Sequence, residues 1–159
     1  METHSETLLE SSIHIDASPA RVWSLVANPR NMARWSPQVV KVLMRSPAQR
    51  GASTVNLNRE GLKLWPTRSK VITFEPPREF AIQIKENNAI WSFTLTPDGD
   101  GTRLVQRRDT SRGTTSLSRT LIDKVLGGQA AFNKTLLGGM QQTLERIKKD
   151  AESLPPQHR

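Results

Sequence analysis

Histidine is the first residue type to examine for proton transfer, and the chain has three, His4, His14 and His158. His4 and His158 fall in the expected flexible ends. His14 lies between Ile13 and Ile15 in an extended stretch, so it faces away from both and reads as a surface or edge residue. A metal site needs three or four convergent ligands. No His-x-x-x-His or paired carboxylate–histidine spacing occurs, so no metal is expected. The carboxylates are equally quiet. Asp98 and Asp100 flank Gly99 in turn chemistry. Glu75 and Glu79 bracket Pro76-Pro77. Asp109 reads as a surface ion pair among Arg107, Arg108 and Arg112, or else as a group orienting a guanidinium at a cavity mouth. No Gly-x-Ser-x-Gly elbow, dinucleotide fingerprint or phosphate-binding loop is present. No catalytic set emerges.

The remaining polar candidates stand where apolar residues would be expected. Leu104, Gln106 and Arg108 share one face of a strand, and Val105, Arg107 and Asp109 share the other. If Leu104 faces inward, Gln106 and Arg108 face inward with it. An inward Arg can bind a carboxylate or enolate, or stabilise an oxyanion; the alternative is a charge reaching solvent at the open end of the sheet. Gln129 and Asn133 project into an otherwise apolar helix arc. A buried unpaired amide costs about 1–3 kcal/mol, so each needs water, a ligand group or a strand backbone as partner. Trp91 and Phe93 sit on the face of a strand expected to look inward, and Trp65 lies near the rim of a hairpin.

The elements that must position these residues follow from periodicity. Residues 8–15 read as a strand. Ser18 caps, and Pro19 opens, a short amphipathic helix over 19–27 that carries Val22, Trp23, Leu25 and Val26. A second short helix spans about 30–34. From 39 to 112 the period is two. Val40-Val42-Met44, Val55-Leu57, Val71–Phe74, Phe80-Ile82-Ile84, Trp91-Phe93-Leu95 and a strand opening at Leu104 are separated by Gly, Pro, Asn and Asp turns. That spacing predicts an antiparallel meander. Residues 116–151 return to helical period, over roughly 50 Å. Leu121, Val125, Phe132, Leu136, Met140, Leu144 and Ile147 fall on one arc. The pairs Gly127-Gly128 and Gly138-Gly139 interrupt this helix. Each interior Gly costs about 1 kcal/mol relative to Ala, so the helix either bends there or passes close to something.

Length and charge bound the rest. The chain has 159 residues, 15 Arg, 8 Lys and a formal net charge of +8. Such a length predicts one domain, here 8–151, with flexible ends at 1–7 and 152–159. The absence of cysteine excludes a disulfide scaffold, a thiolate metal site and cysteine catalysis. It fits a reducing compartment, and a cytoplasmic location is expected. The acidic start carries no secretory pattern, and no stretch approaches the roughly 20 apolar residues of a membrane span. The densest basic cluster is Arg103, Arg107, Arg108, Arg112 and Arg119. It keeps nucleic acid or an anionic membrane as a secondary partner class.

Several local patterns carry a family resemblance over about 7–151. They are Ile15-Asp16-Ala17-Ser18-Pro19-Ala20-Arg21-Val22-Trp23, then Asn28–Pro37 (NPRNMARWSP), Phe74-Glu75-Pro76-Pro77-Arg78-Glu79-Phe80, Gly101-Thr102-Arg103-Leu104 and Gly139–Lys148 (GMQQTLERIK). In this order the chain resembles the START/Bet v 1-like (SRPBCC) superfamily, in particular its bacterial polyketide cyclase/dehydrase-like branch. The resemblance implies an α+β helix-grip fold. A curved antiparallel sheet of about seven strands, with two short helices, would hold one long C-terminal helix. It also implies a cavity between sheet and helix.

Fold does not fix function in this superfamily, which spans aromatase/cyclases, lipid carriers, receptors, co-chaperones and toxin-like proteins. The expected function is binding of a small hydrophobic or amphipathic ligand, whether lipid, polyketide-like or aromatic. No cofactor is implied. The alternatives are a cofactor-independent cyclase/dehydratase and a toxin-like or regulatory module acting through its basic surface. The expected cavity residues are Trp65, Trp91, Phe93, Gln106, Arg108, Val125, Gln129, Phe132, Asn133, Leu136 and Met140.

Overall fold

A computed structural model describes residues 3–4, 7–111 and 129–153, with side chains from 7 onward and, in the C-terminal helix, from 130. Its elements are β1 (Thr3–His4), β2 (Leu8–Ile15), α1 (Pro19–Val26), a 3-10 turn (Pro29–Asn31), α2 (Met32–Trp35), β3 (Val39–Leu43), β4 (Ser53–Glu60), β5 (Lys63–Glu75), β6 (Glu79–Ile84), β7 (Ile90–Asp98), β8 (Gly101–Asp109) and α3 (Gln129–Ser153). The eight strands form one antiparallel sheet in the order β1-β2-β8-β7-β6-β5-β4-β3. This is the expected helix-grip α+β architecture, with β1 added as a two-residue edge strand inside the segment expected to be flexible. α3 runs to Ser153, two residues past the expected end of the domain.

Local chemistry explains the short elements. Ser18 accepts a hydrogen bond from the Arg21 backbone N–H at 3.2 Å, and Pro19 occupies the first helical position of α1. Asn28 caps the 3-10 turn in the same way. The Asn31 amide donates to the Leu25 carbonyl at 2.9 Å, tying that turn to α1. Irregular pairing between Val39 and Lys41 and between Val71 and Thr73 bends the sheet.

The second half of α3 is locked in place. Trp35 donates through Nε1 to Asp150 at 2.7 Å, and Arg34 pairs with the same carboxylate at 2.5 Å. Arg146 donates to the Trp35 carbonyl, Lys148 to the His14 carbonyl, and the Asp16 N–H to Glu152. Leu144, Ile147 and Ala151 are buried in the main core with Ile15, Val22, Val26, Trp35, Phe80, Phe93, Leu95 and Leu104. The first half of α3 joins a smaller cluster, in which Phe132, Leu136 and Met140 meet Leu9, Trp65 and Trp91. The helix therefore grips firmly at its C-terminal end and leaves room at the other. The described part of the predicted apolar arc, Phe132 to Ile147, is buried throughout; Leu121 and Val125 lie outside the described residues.

β4 turns its faces the other way from what its hydrophobicity suggests. Val55 and Leu57 are exposed at 47% and 37%, while Thr54 and Asn56 are buried. The cause is charge parity. Arg68 and Lys70 on β5 pair with Val55 and Ser53, and Arg59 shares that outer face. Strand faces alternate strictly, so moving two valine-sized residues inward would bring three cations with them. The polar residues that go inward satisfy one another. Thr54 bonds Asn56 at 2.9 Å and also Ser69, and the Asn56 amide donates to Thr67 at 3.3 Å. Among the described residues no helix is long and apolar enough to cross a membrane.

Candidate functional site

Between the inner face of the sheet and the first half of α3 lies a cavity of about 150 Å³. That is the order of an engineered apolar cavity that admits benzene. α3 supplies Phe132, Leu136, Gly139, Met140 and Thr143. β6 and β7 supply Phe80, Ile82, Ile84, Trp91 and Phe93, and β8 supplies Gln106 and Arg108. β5 supplies Trp65 and Thr67, and β4 supplies Asn56 and Asn58. Val26, Met32, Gln38, Val39 and Val42 come from the helices and the edge beyond them. The walls are thus mostly apolar, and two groups of polar side chains stand out among the rest.

One polar place is the Asn56–Asn58–Thr67 strip on β4 and β5. The Asn58 amide donates to Thr67 at 2.9 Å and to the Trp65 carbonyl at 3.2 Å. The other is β8. Leu104, Gln106 and Arg108 are all buried, at 0%, 2% and 3% exposure, which settles the inward face. Arg108 does not reach solvent at the sheet's end. Its guanidinium carbon lies 5.8 Å from the centre of the Trp91 ring and 5.8 Å from that of Phe132. Burial pulls its pKa down to about 10, so it remains a cation at neutral pH. Among the described residues it forms no ion pair. Gln106 Oε1 is buried with no hydrogen-bond partner among the described residues.

Of the residues singled out from sequence, Trp65, Trp91, Phe93, Gln106, Arg108, Phe132, Leu136 and Met140 come together around this one cavity. Asn133 is half-buried on α3 and is not among the lining residues. Gln129 begins the described part of α3, and Val125 lies outside the described residues. Sequence reasoning missed Asn56, Asn58, Thr67 and Gln38. The available signal for the first three was the parity of Arg59, Arg68 and Lys70, which marks the outer face and so assigns their neighbours to the inner one.

Gly139 answers the question posed by the second glycine pair. A Cβ there would press on the Gln38 amide, 3.0 Å from Nε2 and 3.1 Å from Cδ, with Oε1 closer still. A Cβ at Gly138 would meet nothing within 4 Å among the described residues. The pair Gly127-Gly128 lies outside the described residues.

The basic cluster is corrected by the geometry. Arg108 points into the cavity. Arg103 and Arg107 face outward but are paired, Arg103 with Asp98 at 3.3 Å and Arg107 with Glu10 at 2.5 Å. Arg112 and Arg119 lie outside the described residues. The described members therefore form no continuous cationic surface. His14 faces outward, as expected of a surface residue, with Asp98 at 2.8 Å and Asp16 at 2.9 Å. Hydrogen bonds to Asp98 first, and to Asp16 second, raise its pKa above 6.5. Asp98 consequently does more than shape its turn: it accepts from both His14 and Arg103. Among the described residues no three His, Asp or Glu side chains converge as metal ligands.

Comparison with solved structures agrees with this architecture. A polyketide-cyclase-like protein from Corynebacterium glutamicum is 26% identical, with 91% of each chain covered and a TM-score of 0.63. The Zhui aromatase/cyclase from a Streptomyces species is 18% identical, with 91% of this chain and 93% of that one covered and a TM-score of 0.69. The di-domain aromatase/cyclase StfQ of the steffimycin biosynthetic pathway superposes with a TM-score of 0.72 at 14% identity, over 92% of this chain and 51% of the other. At such identities the last two show shared fold alone. No curated protein matches the sequence. The family model described as polyketide cyclase/dehydrase and lipid transport matches residues 6–152, and the chain belongs to that family.

Proposed function

We propose that this protein binds a small hydrophobic or amphipathic molecule, polyketide-like, aromatic or lipid, between the sheet and the first half of α3. The observation that carries this reading is the cavity of about 150 Å³ with mainly apolar walls. Burial of apolar surface supplies about 25 cal/mol per Å², so a one- or two-ring body enclosed by Trp65, Trp91, Phe93, Phe132, Leu136 and Met140 gains several kcal/mol before the costs of association. Family membership supports a hydrophobic ligand in the same place.

The test is titration with a neutral apolar fluorophore, N-phenyl-1-naphthylamine, together with native mass spectrometry of freshly purified protein. Saturable binding that Phe132→Ala alters in affinity or in ligand preference is expected. Failure of the probe to bind, with no co-purified small molecule, overturns the reading.

A second reading is a cofactor-independent cyclase/dehydratase. One observation favours it: a buried guanidinium faces the cavity, where it would stabilise the negative oxygen of an enolate or a tetrahedral adduct. However, Arg108 is the one ionisable side chain among the described lining residues. Proton transfer by that wall would then fall to the substrate or to water. Turnover of an enolisable poly-β-ketone that is lost in Arg108→Met would favour the enzyme. Binding without turnover would favour the carrier or receptor role.

A further inference from the structure

Among the described residues, Arg108 and Gln106 leave two unmet demands in the cavity wall. A guanidinium at 3% exposure has lost most of its water, and removing an ion from water costs several kcal/mol unless a partner compensates. The rings of Trp91 and Phe132 return only part of that, about 0.5–2 kcal/mol per cation–π contact. The described residues offer no carboxylate to it. Beside it, Gln106 Oε1 is an acceptor with no donor. Both side chains rise from the inner face of β8, where Arg108 pairs with Trp91, and Gln106 with Phe93, across β7. Their Cα atoms stand two strand positions apart, about 7 Å, which is roughly the width of an aromatic ring carrying one substituent.

We propose that the cavity's ligand is a flat, one- or two-ring hydroxy-acid, whose carboxylate is held by Arg108 and whose hydroxyl, a ring's width away, donates to Gln106 Oε1. This inference rests on the ligand-binding reading above and assigns the chemical class of the ligand. Each part of the ligand meets a specific demand. The carboxylate supplies the missing counter-charge in the bidentate form that a guanidinium fork favours. The hydroxyl supplies the missing donor. The ring stacks where Trp91 and Phe132 already flank the cation. A neutral lipid tail would leave both polar groups unanswered, and a phosphate-headed lipid would bring a bulky tetrahedral anion where a planar carboxylate matches the guanidinium fork. The protein's own stability is set against this function, since a buried ion with no carboxylate partner among the described residues destabilises the empty fold.

The experiment uses three probes of one shape, 6-hydroxy-2-naphthoate, 2-naphthoate and 2-naphthalenemethanol, titrated by calorimetry into the full chain, Arg108→Met and Gln106→Leu. The neutral N-phenyl-1-naphthylamine serves as a control in each protein. The wild type is expected to bind 2-naphthoate at least tenfold more tightly than the alcohol, and the hydroxy-acid more tightly again. Arg108→Met should keep the neutral probe, lose the acid preference, and melt at a higher temperature than wild type when empty. Gln106→Leu should keep the acid preference and lose only the gain from the hydroxyl. Equal binding of acid and alcohol by the wild type overturns the proposal while leaving the cavity reading intact, as does an acid preference that survives in Arg108→Met. If no probe binds, the neutral one included, both fall together. An Arg108→Met protein that melts lower than wild type when empty also counts against it, because the guanidinium would then be compensated without a ligand.

Discussion

Replacing each member of the Gly138-Gly139 pair by alanine tests what the helix is doing where it passes the cavity. Gly in a helix interior is about 0.8–1.0 kcal/mol less favourable than Ala. At Gly138 an added Cβ meets nothing within 4 Å among the described residues, so Gly138→Ala should recover nearly all of that difference. For a chain of this size the gain corresponds to a rise in Tm of about 2–4 °C. At Gly139 the same gain is opposed by contact with the Gln38 amide. That amide is the far end of a flexible side chain, and among the described residues only the Gln38 backbone is hydrogen-bonded, to Ser36 and to the Arg59 N–H. With no side-chain partner among the described residues, it can swing aside at the cost of a rotamer change and some packing, about 0.5–1.5 kcal/mol. Gly139→Ala should sit within about 0.5 kcal/mol of wild type.

The double variant Gly139→Ala/Gln38→Ala separates the two effects. Relative to Gln38→Ala alone it should be more stable by about 1 kcal/mol. Urea denaturation measures all five proteins, wild type included, and a constant slope with a shifted midpoint shows a change in stability alone. Because Gln38 lines the cavity, Gly139→Ala should also change the affinity for N-phenyl-1-naphthylamine, whereas Gly138→Ala should not. The reasoning is refuted if Gly138→Ala destabilises. It is refuted equally if Gly139→Ala loses more than about 1 kcal/mol and Gln38→Ala fails to restore it, since the close approach would then involve more than one mobile amide.

Trp35→Phe removes the Nε1 donor from Asp150, leaving Arg34, itself more than half exposed. Hydrogen bonds to charged groups contribute about 1.5–3 kcal/mol, and the remaining partner argues for the lower end; a thermal melt unchanged within error would contradict this anchor. Thr102→Val keeps shape but leaves the Ala17 carbonyl without its 2.7 Å donor, at a cost of about 1–3 kcal/mol by urea denaturation. For His14, the folded pKa is raised above 6.5. Its contribution is therefore complete below 6.5 and fades as pH rises through the folded value. Asp98 has a lowered pKa, chiefly from His14, so its share fades only when the pH falls through that value. The stability gap between wild type and His14→Gln should accordingly narrow from pH 6 to pH 9; a gap that widens would reverse the assignment.

Which parts of this molecule could be read in advance depended on whether a single local rule decided the matter. Ser18-Pro19 marks the start of α1 because capping and the missing proline N–H are local effects. The arc from Phe132 to Ile147 shows the buried face of α3 because helical geometry fixes which residues share a side. β8 could be read to the level of two possible faces, with Leu104, Gln106 and Arg108 together on one. β4 could be read as a strand but not to its facing, because Val55 and Leu57 are the more apolar set while Arg59, Arg68 and Lys70 decide which side turns out. That competition is settled across strands by register.

The sequence by itself thus determined the order of the main elements, the antiparallel meander and the helical grip. Each of these follows from periods of 2 and 3.6 residues and from turn chemistry acting within a few positions. Tertiary structure decided the rest. It turned Arg108 inward between Trp91 and Phe132, left Gln106 Oε1 without a donor among the described residues, placed Gln38 against Gly139, and separated the described arginines of the basic cluster into one buried cation and two outer ion pairs. The physical reason is that burial and ion pairing depend on what the other strands bring within a few ångströms. In this sheet those neighbours come from β2 and β7, with Leu9 and Trp91 flanking Arg108. Leu9 stands nearly a hundred residues away along the chain.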